Sequence, residues 1–243
     1  MFINLSAFAS PRSFVLFVKS LLWKLKYRDL ISFSFFFNLL CRMSSIPPSH
    51  PPLTILDIGA NKGQFALMSS LVFPTSFPII SCEPLPELEP FLRKVGYIIG
   101  QRFSYSMTAV SSSRGIVKLH RTSNNEQSSI LAPIDIRSIP VTVSAQNINL
   151  LLSQINGPIF LKIDTQGYEL EILKSIDQKY KHKIAYLLIE ASIVSSYINQ
   201  PSISDIMSFV SSSFDVMSFC FIDMLSNANG ITECDIMYTF CRK

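Results

Sequence analysis

From residue 53 onward the chain alternates short apolar runs with amphipathic stretches. Runs of strand length, rich in Ile, Leu, Val and Phe, lie at 53–58, 78–82, 103–109, 159–163, 184–189, 214–222 and 234–240. Helical periodicity fills 62–72, 86–95, 168–176 and 202–210 between several of them. Strands alternating with helices predict right-handed crossovers, and hence a largely parallel sheet with helices on both faces. The last two runs are joined by polar residues 223–232 in place of a helix, which predicts an antiparallel pair at one edge. Runs 116–120 and 139–143 predict an inserted hairpin or lid around the polar segment 122–129. No internal repeat is visible.

Residues 1–43 follow a different pattern. Two apolar stretches, 13–23 and 30–41, flank Lys24, Lys26, Arg28 and Asp29. Neither reaches the roughly 18–20 apolar residues that span a bilayer, and Lys19 already breaks the first. No small-residue cleavage site follows the first run, so a signal peptide is not expected. Leu, Phe and Trp beside Lys and Arg suit a helix lying in a membrane interface; the same pattern suits a helix that caps the main domain. Residues 44–52 (SSIPPSHPP) are too rich in proline for regular structure and read as a hinge. The expected organisation is thus a basic apolar leader at 1–43, a hinge at 44–52 and one domain at 53–243.

Charge sharpens this division. The 243-residue chain carries a formal net charge of +4. Residues 1–43 hold six basic groups against one acid, and the rest holds 15 basic against 16 acidic. The main domain therefore has no excess of Lys and Arg with which to bind phosphates, and nucleic acid is not an expected partner. Five scattered cysteines without a C-x-x-C pair, distant in sequence from the three histidines, point to reduced thiols in a cytosol-like compartment and to no metal site of common spacing. A cytoplasmic protein is expected, with peripheral membrane contact through residues 1–43 as one reading of the leader.

In a sheet of this kind ligands bind beyond the carboxyl ends of the strands. The first run ends in Asp57, Gly59, Asn61 and Gly63, a tight turn into a helix start that can hold an anion. Its G-x-N-x-G pattern is neither the G-x-G-x-x-G dinucleotide fingerprint nor a phosphate loop. Glu83 follows the second run at the spacing of an acid that accepts the hydrogen bonds of a ribose diol, although it also fits a solvated acid opening the turn at 84–90. Lys162 and Asp164 share one side of an apolar run, where a buried charge is costly unless paired or used. Asp164 can line a site or cap the following helix. Glu190 ends a neighbouring apolar run and would add a second carboxylate.

Taken together, ILDIGANKGQFA (55–66), Glu83 with Pro84, LKIDTQGYELEILKS (161–175), LLIEAS (187–192) and CDIMYTF (234–240) resemble the FkbM-type S-adenosylmethionine-dependent methyltransferases. The resemblance implies a Rossmann-like class I methyltransferase fold, α/β, with a mostly parallel seven-stranded sheet whose last strand is antiparallel. It implies S-adenosyl-L-methionine as cofactor, with its methionine half bounded by Asp57, Gly59, Asn61 and Gly63 and its ribose bound by Glu83. It also implies a small-molecule hydroxyl acceptor, a carbohydrate or a polyketide-like natural product. Ser128 and Ser129 resemble a loop near the family's active site, and a mobile surface loop is the competing reading. Gln166 stands where many relatives carry an acid and Lys62 where the position is often apolar, so no metal or second-acid role is expected at 166; Gln166 is taken as a substrate contact.

Methyl transfer is an in-line displacement that needs positioning above all, and an alcohol acceptor must also lose a proton. Asp164 is the first candidate for orienting or deprotonating it, Glu190 the second and His120 the third. Two other readings stand beside this one: a catalytically silent, membrane-apposed binding module on the same fold, and a nucleotide-dependent oxidoreductase, against which the missing G-x-G-x-x-G counts.

Overall fold

The computed structural model describes residues 53–123, 125–227 and 230–241. The expected leader (1–43) and hinge (44–52) lie outside the described residues.

Seven strands form the central sheet, in the order β3-β2-β1-β7-β8-β10-β9. They are β1 (Thr54–Ile58), β2 (Ile79–Cys82), β3 (Phe103–Ser106), β7 (Ile159–Ile163), β8 (Ile184–Ser192), β9 (Val216–Asn227) and β10 (Gly230–Phe240). The first five are mutually parallel, and β10 is antiparallel to both neighbours, β8 and β9. The expected antiparallel pair thus stands at one edge, with the last strand on its inner side. Helices α1 (Gln64–Val72) and α2 (Glu89–Ile99) cover one face; α3 (Ile148–Gln154), α4 (Glu169–Lys174) and α6 (Ile203–Ser213) cover the other. A short helix α5 (Gln178–Lys181) precedes β8.

Because side chains alternate along a strand, each central strand feeds two apolar layers. Leu56, Leu161 and Leu187 join Leu152, Ile172 and Ile206 on one side, whereas Ile55, Phe160 and Leu188 join Phe65, Met68 and Val95 on the other. All of these side chains are buried. At Asp57 and Lys162, two residues beyond Ile55 and Phe160, the same alternation puts charge on the α1 face.

Helix boundaries follow local chemistry. α1 starts two residues later than the periodicity suggests, because Gly63 sits at its N-cap with φ 81°, outside helical space. α6 begins behind a reciprocal cap in which Ser202 Oγ accepts from the Asp205 N–H and Asp205 accepts from the Ser202 N–H, a device worth about 1 kcal/mol. The run at 103–109 divides: β3 stays in the main sheet, and β4 (Ala109–Ser111) crosses to a second sheet of order β4-β6-β5 with β5 (Gly115–Thr122) and β6 (Ser138–Asn147). β5 and β6 are antiparallel, as expected of a hairpin, and β4 adds parallel to β6. This small sheet buries Leu119, Val143 and Ala145 against Leu85 and Leu88, forming one wall of the crevice over the sheet's carboxyl ends.

Candidate functional site

The turn after β1 is held by contacts that leave no room for a side chain. Gly59 has φ 74°, and a Cβ there would stand 1.7 Å from the Asp164 carbonyl oxygen. Its N–H and that of Ala60 donate to the Cys82 carbonyl, locking β1 to β2. Asn61, also left-handed at φ 48°, presents a side-chain oxygen Oδ1 that is buried and has no hydrogen-bond partner. Gly63 is tight against Val95 and Leu92, so it serves packing of α2 and does not line the crevice.

Beneath the turn lies a buried ion pair. Asp57, fully buried, meets the Lys162 Nζ at 3.3 Å and accepts from the Ser81 hydroxyl at 3.0 Å. Lys162 Nζ also reaches Asp164 at 3.1 Å and donates to the Gly59 carbonyl at 2.7 Å. Burial pulls the lysine pKa down, but the Asp164 and Asp57 carboxylates more than offset this and hold it protonated. Burial pushes the Asp57 carboxyl up, opposed by Lys162 and Ser81. The Asp57 side chain therefore braces the turn from below, where the sequence suggested a contact with the cofactor.

Glu83 is buried at the end of β2, and each of its oxygens accepts one backbone N–H: Oε2 from Asn61 at 2.9 Å, Oε1 from Leu85 at 3.0 Å. Each oxygen keeps a lone pair for a further donor. Burial raises its pKa to about 7 against the lowering effect of these N–H groups. The lobe of the crevice beside it is lined by Asn61, Glu83, Thr108, Val110, Ser128 and Asp164, among others. Its mouth is narrowed by Glu126, ion-paired to Lys62 at 3.6 Å. Such a surface pair is worth about 0–1 kcal/mol and resists widening little.

A wider lobe of about 330 Å³ opens on the other side of Asp164 and is lined by Gln64, Met68, Glu190, Asp223 and Asp235 together with Asp164 and Gln166. Gln166, left-handed at φ 57°, joins the two expected carboxylates: its Nε2 donates to Asp164 at 3.0 Å and to Glu190 at 2.7 Å, while its Oε1 accepts from the Tyr197 hydroxyl at 3.1 Å. Three non-glycine residues in left-handed backbone, Asn61, Asn125 and Gln166, thus border the same crevice, where such conformations concentrate in proteins that use them. Burial, then the charge of Asp164 and of Glu233, lifts the Glu190 carboxyl well above its ordinary range. The loop 165–167 is held from behind by buried Glu169, whose carboxylate accepts from the Thr165 and Gly167 N–H groups.

Of the residues singled out from sequence, Gly59, Asn61, Glu83, Asp164, Gln166, Glu190 and Ser128 meet at this crevice. Ser129 does not line it: it is buried, its backbone pairs with His120, and its hydroxyl accepts from the Leu131 N–H. His120 lines neither lobe, and its ring faces Ser138. Sequence reasoning missed Asp235 and Asp223. Asp235 breaks an apolar strand as Asp164 does, and that signal was available. Among the described residues no cluster of His, Cys, Asp and Glu has the arrangement of a metal site, and no helix is long and apolar enough to cross a membrane.

An unpartnered buried Asn61 oxygen and a buried carboxylate with spare lone pairs, facing one crevice beside a glycine turn, fit the amino-acid and ribose parts of an S-adenosylmethionine molecule. Residues 57–215 match the family described as the methyltransferase FkbM domain. No curated protein sequence matches the chain. Among solved structures it is similar to TehB from Haemophilus influenzae, at 12% identity with a TM-score of 0.50 over 90% of this chain and 66% of that one. It is also similar to a precorrin-6y C5,15-methyltransferase from Geobacter metallireducens (12%, TM-score 0.47, 87% and 91%) and to a human methyltransferase 10 domain containing protein (9%, TM-score 0.47, 87% and 85%).

Proposed function

Because the chain belongs to the FkbM methyltransferase family and is an S-adenosylmethionine-dependent methyltransferase, we propose that it methylates a hydroxyl of a small molecule, a sugar or a polyketide-like compound, at Asp164. The observation that carries this reading is the position of Asp164. It directly follows β7, is partly exposed, touches both lobes, and is held by Lys162 on one oxygen and Gln166 on the other. Cofactor and acceptor would thus meet at one oriented carboxylate.

Bound S-adenosylmethionine supplies an electrophilic methyl on a cationic sulfur that leaves as a neutral thioether. Glu83 would accept the ribose hydroxyls, and Asn61 Oδ1 with the Gly59 turn would receive the amino-acid end. Asp164 would take the proton of the acceptor hydroxyl, freeing that oxygen to receive the methyl group. Lys162 and Gln166 hold Asp164 in near-attack geometry. Glu190, which accepts from the Gln166 amide, supports Gln166.

Calorimetric titration with S-adenosylhomocysteine, with NAD and ATP as controls, tests the division of roles. Glu83→Ala is expected to weaken binding more than tenfold, about 1.4 kcal/mol or more. Asp164→Ala should leave binding nearly intact and abolish turnover on a panel of sugar and polyketide acceptors. Equal losses of binding from both would overturn the assignment. For the leader at 1–43 we propose peripheral contact with anionic membranes; replacing Lys24, Lys26 and Arg28 by Gln in the full chain should then reduce sedimentation with anionic vesicles, and an unchanged vesicle-bound fraction would refute it.

A further inference from the structure

Beyond Asp164 the α1 face of the sheet carries a row of carboxylates. Ile163 pairs with Ile189, so the next residues in register are Asp164 and Glu190; Glu190 pairs with Asp235, and Asp235 with Asp223. Four adjacent strands therefore present four acids side by side toward one cavity of about 330 Å³. Like charges directly opposite one another on neighbouring strands are destabilising. The cation nearest to them, Lys162, is already shared by Asp57 and Asp164.

Asp235 is the least compensated member. Among the described residues its carboxyl has no hydrogen-bond or ion-pair partner, although it is half-buried and lines the cavity. The groups facing it are Glu190 and Asp164 from β8 and β7, Asp223 from β9, Glu233 on its own strand, and Lys162 as the one cation. Burial first, then the charge of Asp164, pushes its pKa up to about 8, with Lys162 opposing. The turn that would receive the cofactor's amino-acid end, Gly59 and Asn61, borders the Asp164 end of this cavity, away from the far end of the row. Asp235 and Asp223 stand two and three strands from β7, roughly 10 and 14 Å at the usual strand spacing. A neutral or anionic guest would leave these acids facing one another without a counter-charge; a cationic one would supply it and favour their ionised forms.

We propose that the acceptor is a cationic hydroxyl compound, an amino sugar or amino alcohol, whose ammonium group sits between Asp235 and Asp223 while its hydroxyl faces Asp164. This rests on the methyltransferase reading of the same crevice and narrows its acceptor class. The test uses the full chain saturated with S-adenosylhomocysteine and titrated by calorimetry with glucosamine, glucose and glucuronate, which share a ring and differ in charge.

Glucosamine is expected to bind at least tenfold more tightly than glucose, and glucuronate more weakly than either. Asp235→Asn and Asp223→Asn keep volume and remove an ionisable group from the acidic row, so both variants should melt at or above the temperature of the unmodified chain. They should erase the preference for glucosamine while shifting S-adenosylhomocysteine affinity less than twofold. Equal binding of glucosamine and glucose, tighter binding of glucuronate, or no binding of glucosamine would overturn the proposal. So would an equal loss of S-adenosylhomocysteine affinity in the variants, which would assign the row to the cofactor. Failure of the unmodified chain to bind S-adenosylhomocysteine would instead refute the underlying reading.

Discussion

Replacing Lys162 by Met tests whether the buried ion pair organises the site. Met keeps much of the side-chain volume but removes the ammonium that meets Asp57 at 3.3 Å and Asp164 at 3.1 Å and donates to the Gly59 carbonyl. Asp57 is fully buried, with the Ser81 hydroxyl as its remaining hydrogen-bond donor. Breaking a buried pair by removing one partner costs about 3–5 kcal/mol, because the other charge stays in the interior. At about 2–4 °C per kcal/mol for a domain of this size, the melting temperature should fall by roughly 6–20 °C. Urea unfolding at pH 7 measures the cost directly. At pH 5.5 the loss should shrink, since Asp57 without its lysine can take up a proton. Asp57→Asn/Lys162→Met should recover part of the stability, giving a coupling above about 1 kcal/mol. A loss below about 1 kcal/mol that is the same at both pH values, with additive single variants, would refute the argument.

Gly59→Ala would place a methyl 1.7 Å from the Asp164 carbonyl and hold an L-residue at φ 74°, so β1 and β7 must part at their carboxyl ends; S-adenosylhomocysteine affinity should fall more than tenfold by calorimetry, and unchanged affinity would contradict the geometry. Burial raises Glu83 and Glu169 to about 7 and Asp235 to about 8. The native chain thus retains protons that the unfolded chain releases near pH 4. Their stabilising contribution is complete below that and is lost as pH rises through 7–8, so urea midpoints should fall from pH 5.5 to pH 8. A rising midpoint would show that these carboxyls are ionised in the fold. Gln166→Leu removes the bridge between Asp164 and Glu190, so turnover should drop at least tenfold with S-adenosylhomocysteine affinity within twofold; a parallel loss of affinity would move Gln166 to the cofactor side.

Much of the architecture was legible because it depends on local periodicity. Short apolar runs alternating with amphipathic stretches dictate a covered parallel sheet, and a polar link between the last two runs dictates an antiparallel pair. Asp57 to Gly63, Glu83, Asp164 and Glu190 stood out for the same reason: each is polar where an apolar strand ends. The division of 103–109 was not legible, because an apolar run does not say which of two sheets its residues will join. α3 was missed because its seven residues are too few for a periodic signal and owe their start to the Asn147 cap.

What the sequence by itself determined is the order of elements and the chemical types at strand ends. Tertiary structure decided which of those ends face one another. The alignment of β1 with β7 puts Asp57 opposite Lys162 and turns an expected ligand contact into a buried brace. Insertion of β10 between β8 and β9 puts Asp235 between Glu190 and Asp223, creating an acidic wall that no single segment displays. Register between strands far apart in the chain is set by the packing of their apolar faces, and the polar residues are carried to their partners by that register.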